Sequence, residues 1–160
     1  MRFTDLFSLQ KALDSRIKKE HNLESSLLSK KLLALQVELG ELANETRCFK
    51  FWSNKGPSDQ QTILEEYVDC LHFILSIGLE KDYTDVNIEP VKSELKLTDQ
   101  FLNLFIDVTD FIVCNSKDHY LTMFEDYISL GHSLNFSLDD IKNGYLKKNE
   151  INHKRQDEGY

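Results

Sequence analysis

The chain carries only two prolines and six glycines in 160 residues, and no stretch alternates apolar and polar residues between hairpin turns. That scarcity argues against a sandwich or barrel and leaves long segments with helical spacing, so the fold class reads as all-α. Basic residues are also in short supply: 19 Lys and Arg stand against 27 Asp and Glu, for a net charge of −8 and a pI near 5.1. Lys and Arg supply most of the sequence-independent affinity for nucleic-acid polymers, so such a partner is not expected. A small phosphorylated ligand stays compatible if metal ions intervene. Cys48, Cys70 and Cys114 form no CxxC pair, which leaves zinc and redox dithiols without ligands and reads as the reduced thiols of a cytoplasmic protein. No run approaches about 18 uncharged apolar residues, and the opening MRFTDLFSLQKALDSRIKKE has no apolar stretch of signal-peptide length. Neither membrane spanning nor export is expected.

What is present is a chain that is 41% hydrophobic and of a length suited to one domain, 1–160, with a real core. The pattern predicts a first helix capped by Thr4 or Asp5 and running to about Lys19, with His21 and Asn22 near its end. A second is predicted from about Ser26 to Cys48, followed by a loop at 53–59 where Gly56-Pro57 breaks the helix. Ser58 or Asp59 caps a third, ending near Leu79. A polar connection at 81–90 leads to a fourth helix over 91–114, a fifth over 119–134, and a sixth after Ser137 with Asp139 and Asp140 in its first turn.

Two acidic pairs stand out on the second and third helices: Glu38 and Glu41 in LQVELGELANE, Glu66 and Asp69 in ILEEYVDCLHFIL. Each i, i+3 spacing places both carboxylates on one helix face, where like charges repel. Glu38, Glu41 and Glu45 run beside the stripe Leu28, Leu32, Leu35, Leu39 and Leu42 rather than opposite it. From Val68 to Leu79 nearly every position is apolar, with Asp69, His72 and Ser76 as exceptions, so this helix should be buried all round and its acids with it. Buried carboxylates without partners cost several kcal/mol or take up a proton. Lys and Arg satisfy most helix acids, but two pairs and an Asp-x-x-His together call for a hard divalent cation held by oxygen, Mg²⁺ first.

Near the C-terminus, Tyr145, Lys148, Asn152 and Arg155 fall on one helical face with Gln156 at its edge. In an acidic chain this face supplies positive charge and donors suited to phosphate oxygens, although a solvated terminal helix would read the same way. Gln10 and Asp14 share a face of the first helix. Trp52, in CFKFWSNKGPS, can stack on a base or close a helix end.

Taken together, VELGELANETRCFKFWS (37–53), LEEYVDCLHFILSIGLE (64–80) and the terminal pattern from Tyr145 through Lys148-Asn149, Asn152 and Arg155-Gln156 to Tyr160 resemble the dimeric all-α dUTP diphosphatase family. That family is related to the MazG-type nucleoside triphosphate pyrophosphohydrolases. The resemblance implies a multi-helix bundle whose central helix pair carries ExxE and ExxD, and hydrolysis of dUTP to dUMP and pyrophosphate by a metal-activated water. It implies Mg²⁺ held by Glu38, Glu41, Glu66 and Asp69, with Glu38 or Glu41 also orienting or deprotonating that water. It further implies that Gln10 and Asp14 meet the uracil or sugar, that His72 lies near the deoxyribose, and that Trp52 or Phe51 walls the base. Lys148, Asn152 and Arg155 would hold the phosphates, with Lys55 assisting. Glu45 would be a further ligand, would orient the other ligands, or would equally serve as a capping acid.

The family is homodimeric, and FLNLFIDVTDFIVC at 101–114 is a candidate interface; burial in the monomer explains that segment almost as well. Two other readings keep part of the pattern. A broader or dCTP-directed MazG-type pyrophosphohydrolase would keep the metal chemistry and change the base contacts. A non-catalytic helical interaction protein would use the acids against a basic partner and be indifferent to Mg²⁺.

Overall fold

Apolar residues recur with helical period, and the backbone follows them in the computed structural model, which describes residues 3–89 and 91–159. Six helices result: α1 (Thr4–Glu20), α2 (Leu28–Thr46), α3 (Gln60–Lys81), α4 (Leu97–Val113), α5 (Lys117–Ser133) and α6 (Leu138–Asp157). No β-strand occurs among the described residues. The axis is α3, which packs against α1, α2, α5 and α6, while α4 lies against α2 and α5. From Val68 to Gly78 it is buried at every position except Asp69 and Phe73, as its apolar run predicts. Glu66 and Asp69 depart from the expectation of full burial: both are half-buried, and Asp69 lines a cavity.

Helix starts differ from the sequence expectation where a neighbour replaces the local cap. At α3, Asp59 accepts from Thr62 N at 2.9 Å, and at α6 Ser137 and Asp140 form a reciprocal capping box. α1 instead starts after Phe3 with no side-chain cap, Thr4 being its first helical residue; Phe3 is anchored by packing against Phe124, with ring centroids 4.7 Å apart. α2 starts at Leu28 rather than Ser26, since Leu27 N donates to Glu80 Oε1 of α3 at 3.2 Å. α4 starts at Leu97 rather than 91. In the preceding segment Ser93 Oγ accepts from Leu95 N at 3.2 Å and Gln100 Nε2 donates to Leu95 O at 2.9 Å, so side chains hold backbone groups that a longer helix would use.

Tyrosines seat α3 on α5. Tyr67 of α3 lies over Gly131 of α5 and Tyr120 of α5 over Gly78 of α3, so closely that a Cβ at either glycine would collide with a phenol. Their hydroxyls are satisfied by backbone carbonyls of the facing helix: Tyr67 donates to Tyr127 O at 3.1 Å and Tyr120 to Ile74 O at 3.0 Å, while Tyr127 donates back to Tyr67 O. On the outside, Leu33 and Val37 of α2 and Leu102, Ile106 and Val113 of α4 are exposed, Val113 at 82%. No helix of the described residues is long and apolar enough to cross a membrane.

Candidate active site

Four helices converge on one cavity of about 450 Å³. Its floor is apolar, formed by Leu13, Ile17, Leu27 and Phe73, and its rim carries Glu38 from α2, Asp69 and His72 from α3, and Lys148, Asn152 and Arg155 from α6. Gln10 and Asp14 line it from α1. A hollow of about 550 Å³ between the 87–95 connection and α5 is lined by Glu89, Glu125 and Asp126 with amides and serines, and holds no cation to balance a phosphate.

At the rim, one carboxylate oxygen each from Glu38, Glu66 and Asp69 lie within 4.8 Å of one another. Burial first, then repulsion from Asp69, Glu41 and Glu66, pushes Glu38 up to about 7, against the opposing pull of Lys148. Burial, then Asp69 and Glu41, raises Glu66 as well. Asp69 is raised by burial, with Lys148 and Arg155 opposing; Lys148 Nζ donates to its Oδ2 at 2.6 Å. The cluster is therefore short of positive charge even with a lysine on one member. Three hard oxygen donors in that condition suit a metal ion. Glu41 is exposed and outside this trio, although its charge reaches Glu38 and Glu66. Glu45 is held elsewhere, accepting from the Ser58 hydroxyl and closing the 47–58 loop onto α2.

Behind the rim lies a buried polar chain. Gln10, 3% exposed, donates from Nε2 to Asp14 Oδ1 at 2.8 Å, and its Oε1 accepts from Tyr145 Oη at 2.9 Å and lies 2.7 Å from His72 Nδ1. Tyr145 also stacks on His72, with centroids 4.3 Å apart. Burial, and secondarily the charge of Lys148, pushes His72 down to about 3, so the ring is neutral. The other oxygen of Asp14 accepts from the Ser76 hydroxyl and from Lys31 Nζ at 3.4 Å. Lys31 in turn reaches Glu80 Oε2 at 3.0 Å. Burial alone would raise Glu80, but hydrogen bonds from Lys31, Ser26 and Leu27 outweigh it and bring it down to about 2.

Of the sequence-predicted residues, Gln10, Asp14, Glu38, Asp69, His72, Lys148, Asn152 and Arg155 share the cavity, and Glu66 joins Glu38 and Asp69 at its edge. Trp52 does not line it. It sits 65% exposed in the 47–58 loop, edge-on to Phe51 and Phe49 at 5.1 and 6.0 Å. Phe51 is 94% exposed, and Lys55 is exposed on the same loop, its carbonyl accepting from Arg47. Sequence reasoning passed over Lys31, although a lysine four residues before Leu35 and seven before Glu38 sits on the buried stripe of α2. It also passed over Asn149, which is buried beside Tyr145.

Fold and cavity together present an all-helical protein whose clustered carboxylates face Lys148 and Arg155 across a hollow, an arrangement suited to phosphorylated ligands. The sequence profile described as dUTPase matches residues 2–160, and the chain belongs to that family. Membership makes it a dUTP diphosphatase, a hydrolase whose substrate is a nucleotide. No curated protein sequence matches the chain at a significant level.

Proposed function

We propose that the protein hydrolyses dUTP to dUMP and pyrophosphate with Mg²⁺ as its metal, working as a cytoplasmic homodimer of single-domain subunits. The observation that carries this reading is the placement of three carboxylate oxygens within 4.8 Å of one another beside Lys148, Asn152 and Arg155. Bound among those oxygens, Mg²⁺ supplies charge neutralisation for the phosphates and activation of water for in-line attack. Every other requirement falls to side chains. Glu38, Glu66 and Asp69 would hold the ion, and Glu41, one turn beyond Glu38, would complete the set. Glu38 or Glu41 orients the attacking water and takes its proton. Lys148 and Arg155 bind phosphate oxygens as point charge and fork respectively, with Asn152 donating between them.

The apolar floor of Leu13, Ile17 and Phe73 accepts the base and sugar, and excludes water from them. Trp52 and Phe51, exposed on their loop and outside that cavity, are the aromatic pair that would meet the base if the loop folds over it. The exposed apolar residues of α2 and α4, Leu33, Val37, Leu102, Ile106 and Val113, favour burial against a second subunit.

Pyrophosphate release from dUTP, dCTP, dTTP and UTP, with and without Mg²⁺, tests the reading. Metal-dependent turnover strongest on dUTP and abolished by Glu41→Gln is the expected result. Preference for dCTP would move the assignment to the MazG-type alternative. Full activity in Glu41→Gln would remove Glu41 from the site.

A further inference from the structure

The Gln10, His72 and Tyr145 chain has a handedness that one residue sets. A carboxylate only accepts, so Asp14 Oδ1, 2.8 Å from Gln10 Nε2, dictates that the amide turns its NH₂ toward α1's own acid. The carbonyl Oε1 then faces Tyr145 Oη at 2.9 Å and His72 Nδ1 at 2.7 Å. A carbonyl also only accepts. The ring proton of neutral His72 must therefore sit on Nδ1, and Nε2 is left as a bare lone pair. That nitrogen is buried and has no protein partner, on a side chain 6% exposed that lines the cavity. With an amide or an apolar residue at position 14, Gln10 could turn over, present NH₂ to His72 and reverse the ring's polarity toward the cavity.

We propose that Asp14 is a positioning residue which, through Gln10, fixes His72 as the Nδ1–H tautomer, so that the cavity offers a neutral ring acceptor to a hydrogen-bond donor of the nucleoside. Asp14 therefore does not read the ligand itself, since Gln10, Ser76 and Lys31 already occupy its oxygens. The identity of the ligand as a nucleotide rests on the function proposed above; the tautomer is a property of the protein alone. An acceptor at this point favours ligands with an O–H or N–H there, and penalises those that bring a lone pair, because two buried acceptors cannot satisfy each other.

The test is the side-chain ¹⁵N spectrum of the full chain without nucleotide, in wild type and in Asp14→Asn, paired with steady-state kinetics on dUTP. Wild-type His72 is expected to show a protonated Nδ1 and an unprotonated Nε2. Asp14→Asn is expected to give a mixed or reversed assignment, with KM for dUTP raised about tenfold, as for one lost hydrogen bond, and kcat altered less. A wild-type His72 protonated at Nε2 overturns the proposal even if the variant fails to fold, and so does an unchanged tautomer in a folded Asp14→Asn. If the tautomer responds as expected but neither protein releases pyrophosphate from dUTP, the functional reading fails and the positioning role stands.

Discussion

Two groups of acids in this molecule carry the same electrostatic signature and differ in everything around them. Glu38 is pushed up to about 7 by burial and by Asp69, Glu41 and Glu66. Asp107 on α4 is also pushed up to about 7, by burial and by the charge and hydrogen bond of Asp126 on α5, with Asp110 adding and His119 opposing. The first group faces Lys148 and Arg155 across a cavity with an apolar floor. The second has a buried oxygen, Asp107 Oδ2, with no donor, and the charges that act on it most are Asp126, Asp110 and His119. A raised carboxylate therefore does not mark a site by itself. What marks one is a raised carboxylate beside cations and a hollow, where charge is arranged for a ligand rather than shared as a proton between two acids.

The sharpest way to break this comparison is to neutralise one acid from each group. Asp69→Asn and Glu38→Gln are expected to lower kcat/KM for dUTP by about 100-fold or more, since the proposed cation would lose a ligand. Asp107→Asn should leave it within roughly threefold, as a change remote from the site. Comparable losses from both would erase the distinction drawn here.

A smaller effect concerns the lysine. Lys148 Nζ holds Asp69 at 2.6 Å, so a cation held as proposed would compete with the lysine for one carboxylate. Lys148→Met is expected to tighten Mn²⁺ binding to the nucleotide-free protein by about tenfold while raising KM for dUTP, both within the range of single charge interactions. Weaker Mn²⁺ binding in the variant, measured calorimetrically, would contradict the competition.

The smallest effect is on stability. A carboxyl whose native value lies above its unfolded value contributes stability that is present below about pH 4 and lost as pH rises through about 7. Asp107→Asn should therefore raise Tm by a few degrees at pH 8, with the gain vanishing near pH 4. Thermal melts across that window check the sign. A destabilised variant at pH 8 would mean that the pair is ionised without penalty.

The helix count and the all-round burial of α3 were legible because each rests on local period, in leucine stripes and an all-apolar run, whereas the convergence of α2, α3 and α6 was legible only through the family resemblance. Asp59 and Ser137 were legible as caps for the same reason. What escaped was supplied from across the fold. The start of α2 is set by Glu80, 53 positions away, and the late start of α4 by Ser93 and Gln100 capturing Leu95. At the site, Gln10 and Asp14 were visible as a polar pair. Their partners Lys31, Ser76 and Tyr145 come from other helices, and no spacing rule in one helix could reveal which atoms would face each other.

The crossed tyrosines and glycines of α3 and α5 have a bearing on where the molecule can move. Sliding one helix along the other by a single residue would drive a phenol into backbone at two places at once, while the carbonyl bonds of Ile74, Tyr67 and Tyr127 would all be lost together. This rear face behaves as a rigid chassis, whose amides should be among the slowest to exchange. The cavity proposed for the nucleotide lies on the opposite side of α3, between α1, α2 and α6. On the function proposed above, the central helix thus separates a lock on register, against α5, from the cavity that would receive the nucleotide.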